Sequence, residues 1–359
     1  MTDLDDLARS IRELPGVRAK ADIALVAEQL GGGDFYAGPG DDGAVLPGGE
    51  GHVVVGGEAI LPAFVEADPY GAGVAAVLAN VNDLAAMGAV PVALLDTVVG
   101  SADVAREALR GMRWAAQMYR VAIVGGHLTR TDGAPALSAF GVGRAERVLS
   151  ATHAAPGQVL VLGCCLQGTM RTDFLFFPSF DERGDQLADD VRVLAHLAAT
   201  GAAVAAKDVS MAGLVGSLAM LLEANRLGVT VDLDTLPVPA GVPLPDWLGC
   251  FPCFAFLLAC PPDRVQECVD TFRERGLSAE PLGVLDGSGS HAATRPQRSS
   301  TCTATGSPTC MTGVTSTLST SAGGAARGSR TARRRPSSPG SGRRQCSRPA
   351  PAPPCGWRL

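Results

Sequence analysis

Five carboxylates set among small residues carry most of the chemistry open to this 359-residue chain. The first two are adjacent: Asp41 and Asp42 in GPGDDGAVLPGG, Gly38 to Gly49, just ahead of the apolar run Ala44, Val45, Leu46. Pro, Asp and Gly are ordinary turn residues, so a solvated turn is one reading. The other is a cation site whose small residues let a polyphosphate approach the backbone. Glu58 follows an apolar run and two glycines in VVVGGEA. Asn80 and Asp83 in NVNDLAAMGAVP stand one helical turn apart and share a face. An acid in so apolar a helix is costly unless a cation or hydrogen bonds compensate. VGGHLTR places a Gly-Gly turn after a strand, followed by His127, Thr129 and Arg130. In AAKDVSMAGL, Asp208 and Ser210 fall at a helix start, where backbone N–H groups and the helix dipole favour anions.

Each stretch has a structural reading too. Glu58 can be a surface acid, Asp83 a cap at a helix break, His127 a satisfied loop histidine, and Asp208 or Ser210 an N-cap. Lys207, one of two lysines in the chain, can simply pair with Asp208. Collected in one chain and in this order, the five stretches favour a shared site.

The elements that must position these residues follow from pattern. Asp68 followed by Pro opens an Ala-rich helix through DPYGAGVAAVLANVNDLAAMGA, and Ser101 caps a helix through ADVAREALRGMRWAAQMY. VAIVGG from Val121 and LSAFGVG from Leu137 read as strands. HAAPG, ending at Gly157, breaks the pattern and marks a domain boundary, so the first domain is expected at 1–154 and the second at 155–288. In the second, a helix through DQLADDVRVLAHLAAT closes at Gly201, a helix follows KDVS, VTVDL and CFAFLLAC are strands, and a helix runs from Pro262 to Arg275. Mixed strands and helices in both halves indicate α/β or α+β layers. The single CxxC, Cys250 and Cys253, lies in an apolar strand context and reads as core thiols.

From Ser290 the chain holds eleven Arg and no Asp, Glu or Lys, leaving 19 basic against 36 acidic residues (19 − 36 = −17) in the body. An acidic body argues against nucleic acid as a partner, and no stretch has the length of a membrane span or the form of a secretory leader. A cytoplasmic protein is expected. The tail, 289–359, cannot bury enough apolar area to offset ordering and is expected to be disordered. It reads either as a basic segment for an acidic partner or as out-of-frame translation of a GC-rich gene.

The ordered set GDDGAV, GGEA, NDLAAMGA, GGHLT and KDVSMAGL resembles the superfamily of aminoimidazole ribonucleotide (AIR) synthetase, with thiamine monophosphate kinase, selenophosphate synthetase, the hydrogenase maturation carbamoyl dehydratase and the formylglycinamidine synthase ATP domains. It is most similar to the AIR synthase-related (sll0787-type) group, over about residues 20–285. NDLAAMGAVP with GDDGAV upstream is the specific part.

The resemblance implies a two-domain fold: an N-terminal mixed sheet with helices that joins a second subunit in a homodimer, and a C-terminal α/β domain, with ATP between them. It implies ATP- and Mg²⁺-dependent phosphoryl transfer to a small molecule. Asp41, Asp42, Glu58, Asp83 and Asp208 are then metal ligands. Gly40, Asp41, Gly125, Gly126, His127, Thr129 and Ser210 border the nucleotide, and Asp208, Lys207 and His127 are catalytic. Asp96, Arg130, Lys207 and Arg171 are candidates for the acceptor surface. The chain departs from the family pattern in placing Gly56 and Gly57 where two threonines are usual, Glu58 for Asp, and Met211 where kinase-like relatives carry Asp. It also lacks a cysteine before Cys164, which argues against the selenophosphate activity.

Overall fold

The computed structural model describes residues 9–14, 29, 41–171, 174–289, 291–294 and 317–318. Residues 1–320 form one compact unit and 321–359 another, and every described residue belongs to the first. Gly40 and nearly all of the Arg/Pro/Ser-rich tail lie outside the described residues.

Five strands build the first sheet: β1 (Ala44–Pro47), β2 (His52–Ile60), β3 (Val90–Gly100), β4 (Ala122–Arg130) and β5 (Ala136–Ala145). Their spatial order is β1-β2-β5-β3-β4, antiparallel except for the β3–β4 pair, so the sheet is mixed as expected. Its inner face carries α1 (Pro62–Ala67), α2 (Pro69–Ala86) and α3 (Ala102–Met118). Asp68 starts α2 by accepting the Gly71 N–H at 2.8 Å, with Pro69 in the first turn. Ser101 starts α3 by accepting the Val104 N–H at 3.3 Å.

VAIVGGHLTR departs from its reading as a buried strand that ends in a Gly-Gly turn. β4 continues through both glycines to Arg130 and forms the sheet's exposed edge. A register shift between Leu94 and Leu95 takes up the extra residue, so the chain needs no turn there.

The second sheet runs β14-β13-β9-β12-β6-β11-β8. Its strands are β6 (Val159–Cys164), β8 (Ala205–Asp208), β9 (Gly228–Asp232), β11 (Ala255–Cys260), β12 (Ser278–Asp286), β13 (His291–Thr294) and β14 (Thr317–Leu318), while β7 (Phe176–Phe177) and β10 (Phe251–Pro252) form a separate parallel pair. The sheet therefore extends past the expected domain end at 288. Its helices are α4 (Phe180–Arg183), α5 (Leu187–Thr200), α6 (Gly213–Glu223), α7 (Leu244–Gly249) and α8 (Val265–Arg273). Gly201 ends α5 in the left-handed conformation that glycine adopts without penalty (φ +77°).

β11 is buried at every position, and its side chains alternate between two cores. Phe256, Leu258 and Cys260 join α2 and α3 in a core shared with the first sheet. Ala255, Leu257 and Ala259 face the second core with Trp247 and Leu221. The long, apolar α2 is buried almost all round, as befits a helix covered on several sides. Cys250 and Cys253 are fully buried free thiols, each pushed up to about 12 by burial. No helix among the described residues is long and apolar enough to cross a membrane.

Candidate metal centre

Three of the five sequence-predicted carboxylates converge. Asp42 lies just before β1, Asp83 in the last turn of α2, and Asp208 at the end of β8. One oxygen from each lies within 4.8 Å of the others. The side chains of Asp42 and Asp208 are 6% and 1% exposed, and Asp83 is 7% exposed. Three hard oxygen donors at such spacing suit Mg²⁺, which takes few carboxylates and completes its shell with phosphate and water oxygens. The C-terminal end of α2 adds to this, since it is the negative pole of the helix and no basic residue sits in the last turn.

Lys207 enters the same cluster. Its ammonium pairs with Asp208 Oδ1 at 2.6 Å and with Asp42 Oδ1. The second oxygen of Asp42 accepts the Asp208 backbone N–H at 3.2 Å. Burial pushes Asp42 up to about 7 despite the opposing lysine, with the charge of Asp208 adding to the rise. Asp83 is raised well above the usual carboxylate range, first by burial and then by the charges of Asp208, Asp42 and Glu58. Burial alone would depress Lys207; Asp208, Asp42 and Asp83 more than reverse it.

The adjacent pair Asp41–Asp42 is divided between two tasks. Asp41 turns from the cluster to the connector between the sheets, where it accepts the Ser150 hydroxyl at 2.5 Å and the Ala151 N–H at 2.7 Å. Both of its oxygens are thereby spent on fixing the start of the short turn at Ala151–His153. Its neighbour Asp42 is left to face the cluster.

Glu58 stands on the inner face of β2, near enough for its charge to act on Asp83, but outside the three-carboxylate group. Strand register puts it in a cross-strand row with Ala139 and Asp96. The row ends at Gly126, where a Cβ would lie 2.4 Å from the Asp96 carboxylate. Burial raises Asp96. His127 pairs with Thr97, one step along, and so faces the opposite side of the sheet; Thr129 shares that side. Gly125 and Gly126 lie on the exposed edge strand.

Asp208 and Ser210 precede the helix by more than expected. A turn over 209–212 separates Asp208 from α6, which starts at Gly213 with no side-chain cap. Ser210 gives its backbone N–H to Ser217 Oγ at 3.2 Å. Asp208 thus owes its position to β8 pairing with Phe256 of β11. Arg130 is exposed at the end of β4, and the guanidinium of Arg171 covers the Phe174 ring at 4.7 Å.

Gly56 and Gly57, where the resemblance would place paired threonines, face opposite ways in β2. A Cβ on Gly57 would come within 2.6 Å of Phe140, whose ring lies across it on the outer face. The missing hydroxyl at 57 therefore has a packing counterpart in the neighbouring strand.

Two residues escaped the sequence reading. Asn82, fully buried, donates to the Cys253 carbonyl at 3.2 Å and ties α2 to the bend ahead of β11, while its own Oδ1 has no partner among the described residues. Ser150 anchors Asp41. The signal for Asn82 was its place between Asn80 and Asp83 in an otherwise apolar helix; for Ser150 there was none.

Residues 40–145 match the family described as AIR synthase related protein, N-terminal domain, and 168–295 match its C-terminal domain. The Synechocystis protein sll0787 is 33% identical over 290 residues, 79% of this chain and 90% of that one. The thiamine-monophosphate kinase of Rhodopirellula baltica is 34% identical over 172 residues, 46% of this chain and half of that one. Among solved structures, AaThiL complexed with AMPPCP and TMP superposes with a TM-score of 0.59 over 77% of this chain and 93% of that chain, at 17% identity, a likeness in fold.

Proposed function

Because the chain belongs to the AIR synthase-related family, we propose that it is an ATP- and Mg²⁺-dependent enzyme that moves a phosphoryl group to a small molecule, an amide or other nitrogen compound being the favoured acceptor class. Relatives named thiamine-monophosphate kinase and selenide, water dikinase favour this class of reaction. The observation that supports it best for this chain is the buried meeting of Asp42, Asp83 and Asp208, brought from three elements to within 4.8 Å of one another. Lys207 balances only one of these three charges, so with all groups ionised the buried cluster keeps a net negative charge that is costly unless a further cation joins it.

Asp42, Asp83 and Asp208 would hold Mg²⁺, which when bound neutralises phosphate charge during transfer. The protein contributes placement. α2 is locked by the shared core and by Asn82, β8 is paired to the fully buried β11, and Asp41 pins the connector beside Asp42. Lys207 adds a positive charge to the same spot. Preorganised groups of this kind stabilise a transferring phosphoryl group without reorganising as it moves.

The homodimer belongs to the same reading. The outer face of the first sheet exposes Val90 (36%), Val92 (49%), Leu95 (38%) and Phe140 (47%), an apolar surface suited to a second copy. Sedimentation of wild type against Phe140→Asp tests it: the variant sediments as a monomer, and an unchanged dimer removes this face from the interface.

Gly56, Gly57 and Met211 favour a second reading, a nucleotide-binding subunit without turnover that serves another enzyme, since hydroxyl and carboxylate groups usual in relatives are missing. Two measurements decide. ATP should raise the melting temperature only with Mg²⁺ present, and no shift at millimolar Mg²⁺ rejects both readings. ADP formation with a panel of small amides, amines and phosphate esters supports the enzyme; tight ATP binding with no turnover on any of them supports the subunit.

A further inference from the structure

Lys207 holds the lone pairs that a divalent ion would need. Its ammonium contacts Asp42 and Asp208, two of the three candidate ligands, and it is itself 3% exposed. Asp42 is doubly engaged, one oxygen on Lys207 and the other on the Asp208 N–H. Asp83, more than nine-tenths buried, accepts no hydrogen bond from the described residues and feels the ammonium only through its charge. With all groups ionised the four side chains sum to −3 + 1 = −2, the charge that one divalent ion cancels. A dication among the same oxygens repels an ammonium held a few ångströms away. Lysine has a flexible four-carbon stem and no fixed fork, so it can swing where an arginine would be held.

We infer that Lys207 is a displaceable counter-ion: it holds Asp42 and Asp208 together while no metal is bound, and swings onto the polyphosphate when a divalent ion takes its place. The inference rests on the metal-nucleotide reading above and adds to it the competition between one side chain and the ion. It makes Lys207 a positioning residue whose two partners, carboxylate and phosphate, alternate with metal occupancy.

The test uses full-length protein and measures Mn²⁺ binding by electron paramagnetic resonance, first alone and then with a non-hydrolysable ATP analogue. Lys207→Met should bind Mn²⁺ alone about tenfold more tightly than wild type, and the Mn²⁺–analogue pair about tenfold more weakly. Lys207→Arg should recover the phosphate contact but compete with the metal more stubbornly. If Lys207→Met binds Mn²⁺ alone no better than wild type, the lysine does not compete and the inference falls, while the metal-nucleotide reading stands. If wild type takes up no Mn²⁺ even with the analogue, both fall.

Should Lys207→Met not fold, wild type decides. With only Lys20 and Lys207 in the sequence, ¹³C-lysine labelling gives two ε-methylene signals. The Lys207 signal must shift when Mg²⁺ stabilises the protein, and one that stays put overturns displacement.

Discussion

Replacing Asp83 by Asn separates the stability cost of the site from its use. Asp83 has an oxygen within 4.8 Å of one from Asp42 and one from Asp208. At an effective dielectric near 20, two unit charges at that distance repel by about 3.5 kcal/mol. Two such neighbours give about 7 kcal/mol, and a nearby ammonium offsets about half, leaving roughly 3 kcal/mol of net repulsion on an ionised Asp83. Protonation relieves part of this, consistent with the carboxyl's strong upward shift. Asn keeps the shape and discards the charge. The metal-free variant at pH 8 should therefore be more stable than wild type by about 2 kcal/mol, or ~5 °C in melting temperature for a body of this size.

With Mg²⁺ and ATP the ranking reverses, because wild type gains a ligand-linked shift that the variant lacks. Differential scanning calorimetry in chelator and in Mg²⁺–ATP gives both numbers from one preparation. A variant less stable than wild type in chelator would show that Asp83 is a structural acid. A variant that keeps the full Mg²⁺–ATP shift would show that the ion lies elsewhere. Either result refutes the reasoning.

Other outcomes follow from the same geometry. Asp42 keeps its proton to about pH 7 when folded but loses it near 3.8 when unfolded, so ionisation costs stability that is still present below pH 4 and is lost as pH rises toward 7. Lys207, raised above its usual value, contributes evenly across that window. Metal-free melting temperature should thus fall between pH 4.5 and 7.5. Mg²⁺ should flatten the slope and release protons on binding, measurable by titration calorimetry in buffers of different ionisation enthalpy; a metal-free profile that rises over this range contradicts the assignment. Asp41→Ala loses the Ser150 and Ala151 hydrogen bonds and should cost about 1–3 kcal/mol in urea unfolding while leaving Mn²⁺ affinity within about threefold, whereas Asp42→Asn should remove metal binding. Gly57→Thr drives its Cβ into Phe140 and should destabilise by about 1–3 kcal/mol, with Phe140→Ala recovering most of the loss in a double-mutant cycle.

The fold was legible where local chemistry decides it. The Asp68 and Ser101 caps, the Gly201 stop and the apolar run of β11 were all visible in sequence, and each is a short-range effect. The carboxylates were legible as types but not as contacts. Asp41 and Asp42 are indistinguishable in GDDG, and only a serine 109 residues away decides which of them faces inward. The exposed course of β4 was not legible either. Gly-Gly after a strand signals a turn, and the reasons it does not turn here, pairing with β3 and the Asp96 carboxylate over Gly126, are long-range.

Why this fold tolerates three buried carboxylates is answered by where they stand. α2 brings Asp83 in on a helix enclosed by one continuous core that also contains Phe254, Phe256 and Phe272 of the second sheet's layer. Each fully buried aromatic of that set contributes about 3–5 kcal/mol against truncation to alanine. The net repulsion at the cluster, about 3 kcal/mol, is therefore of the size of one such side chain. Two of the three carboxylates stand on packed elements, Asp83 on α2 and Asp208 on β8, so removing the charges should stabilise the protein without moving its backbone. A crystal structure of Asp83→Asn in which α2 shifts relative to β8 would show the reverse: that the carboxylates position the helix, and the core merely follows.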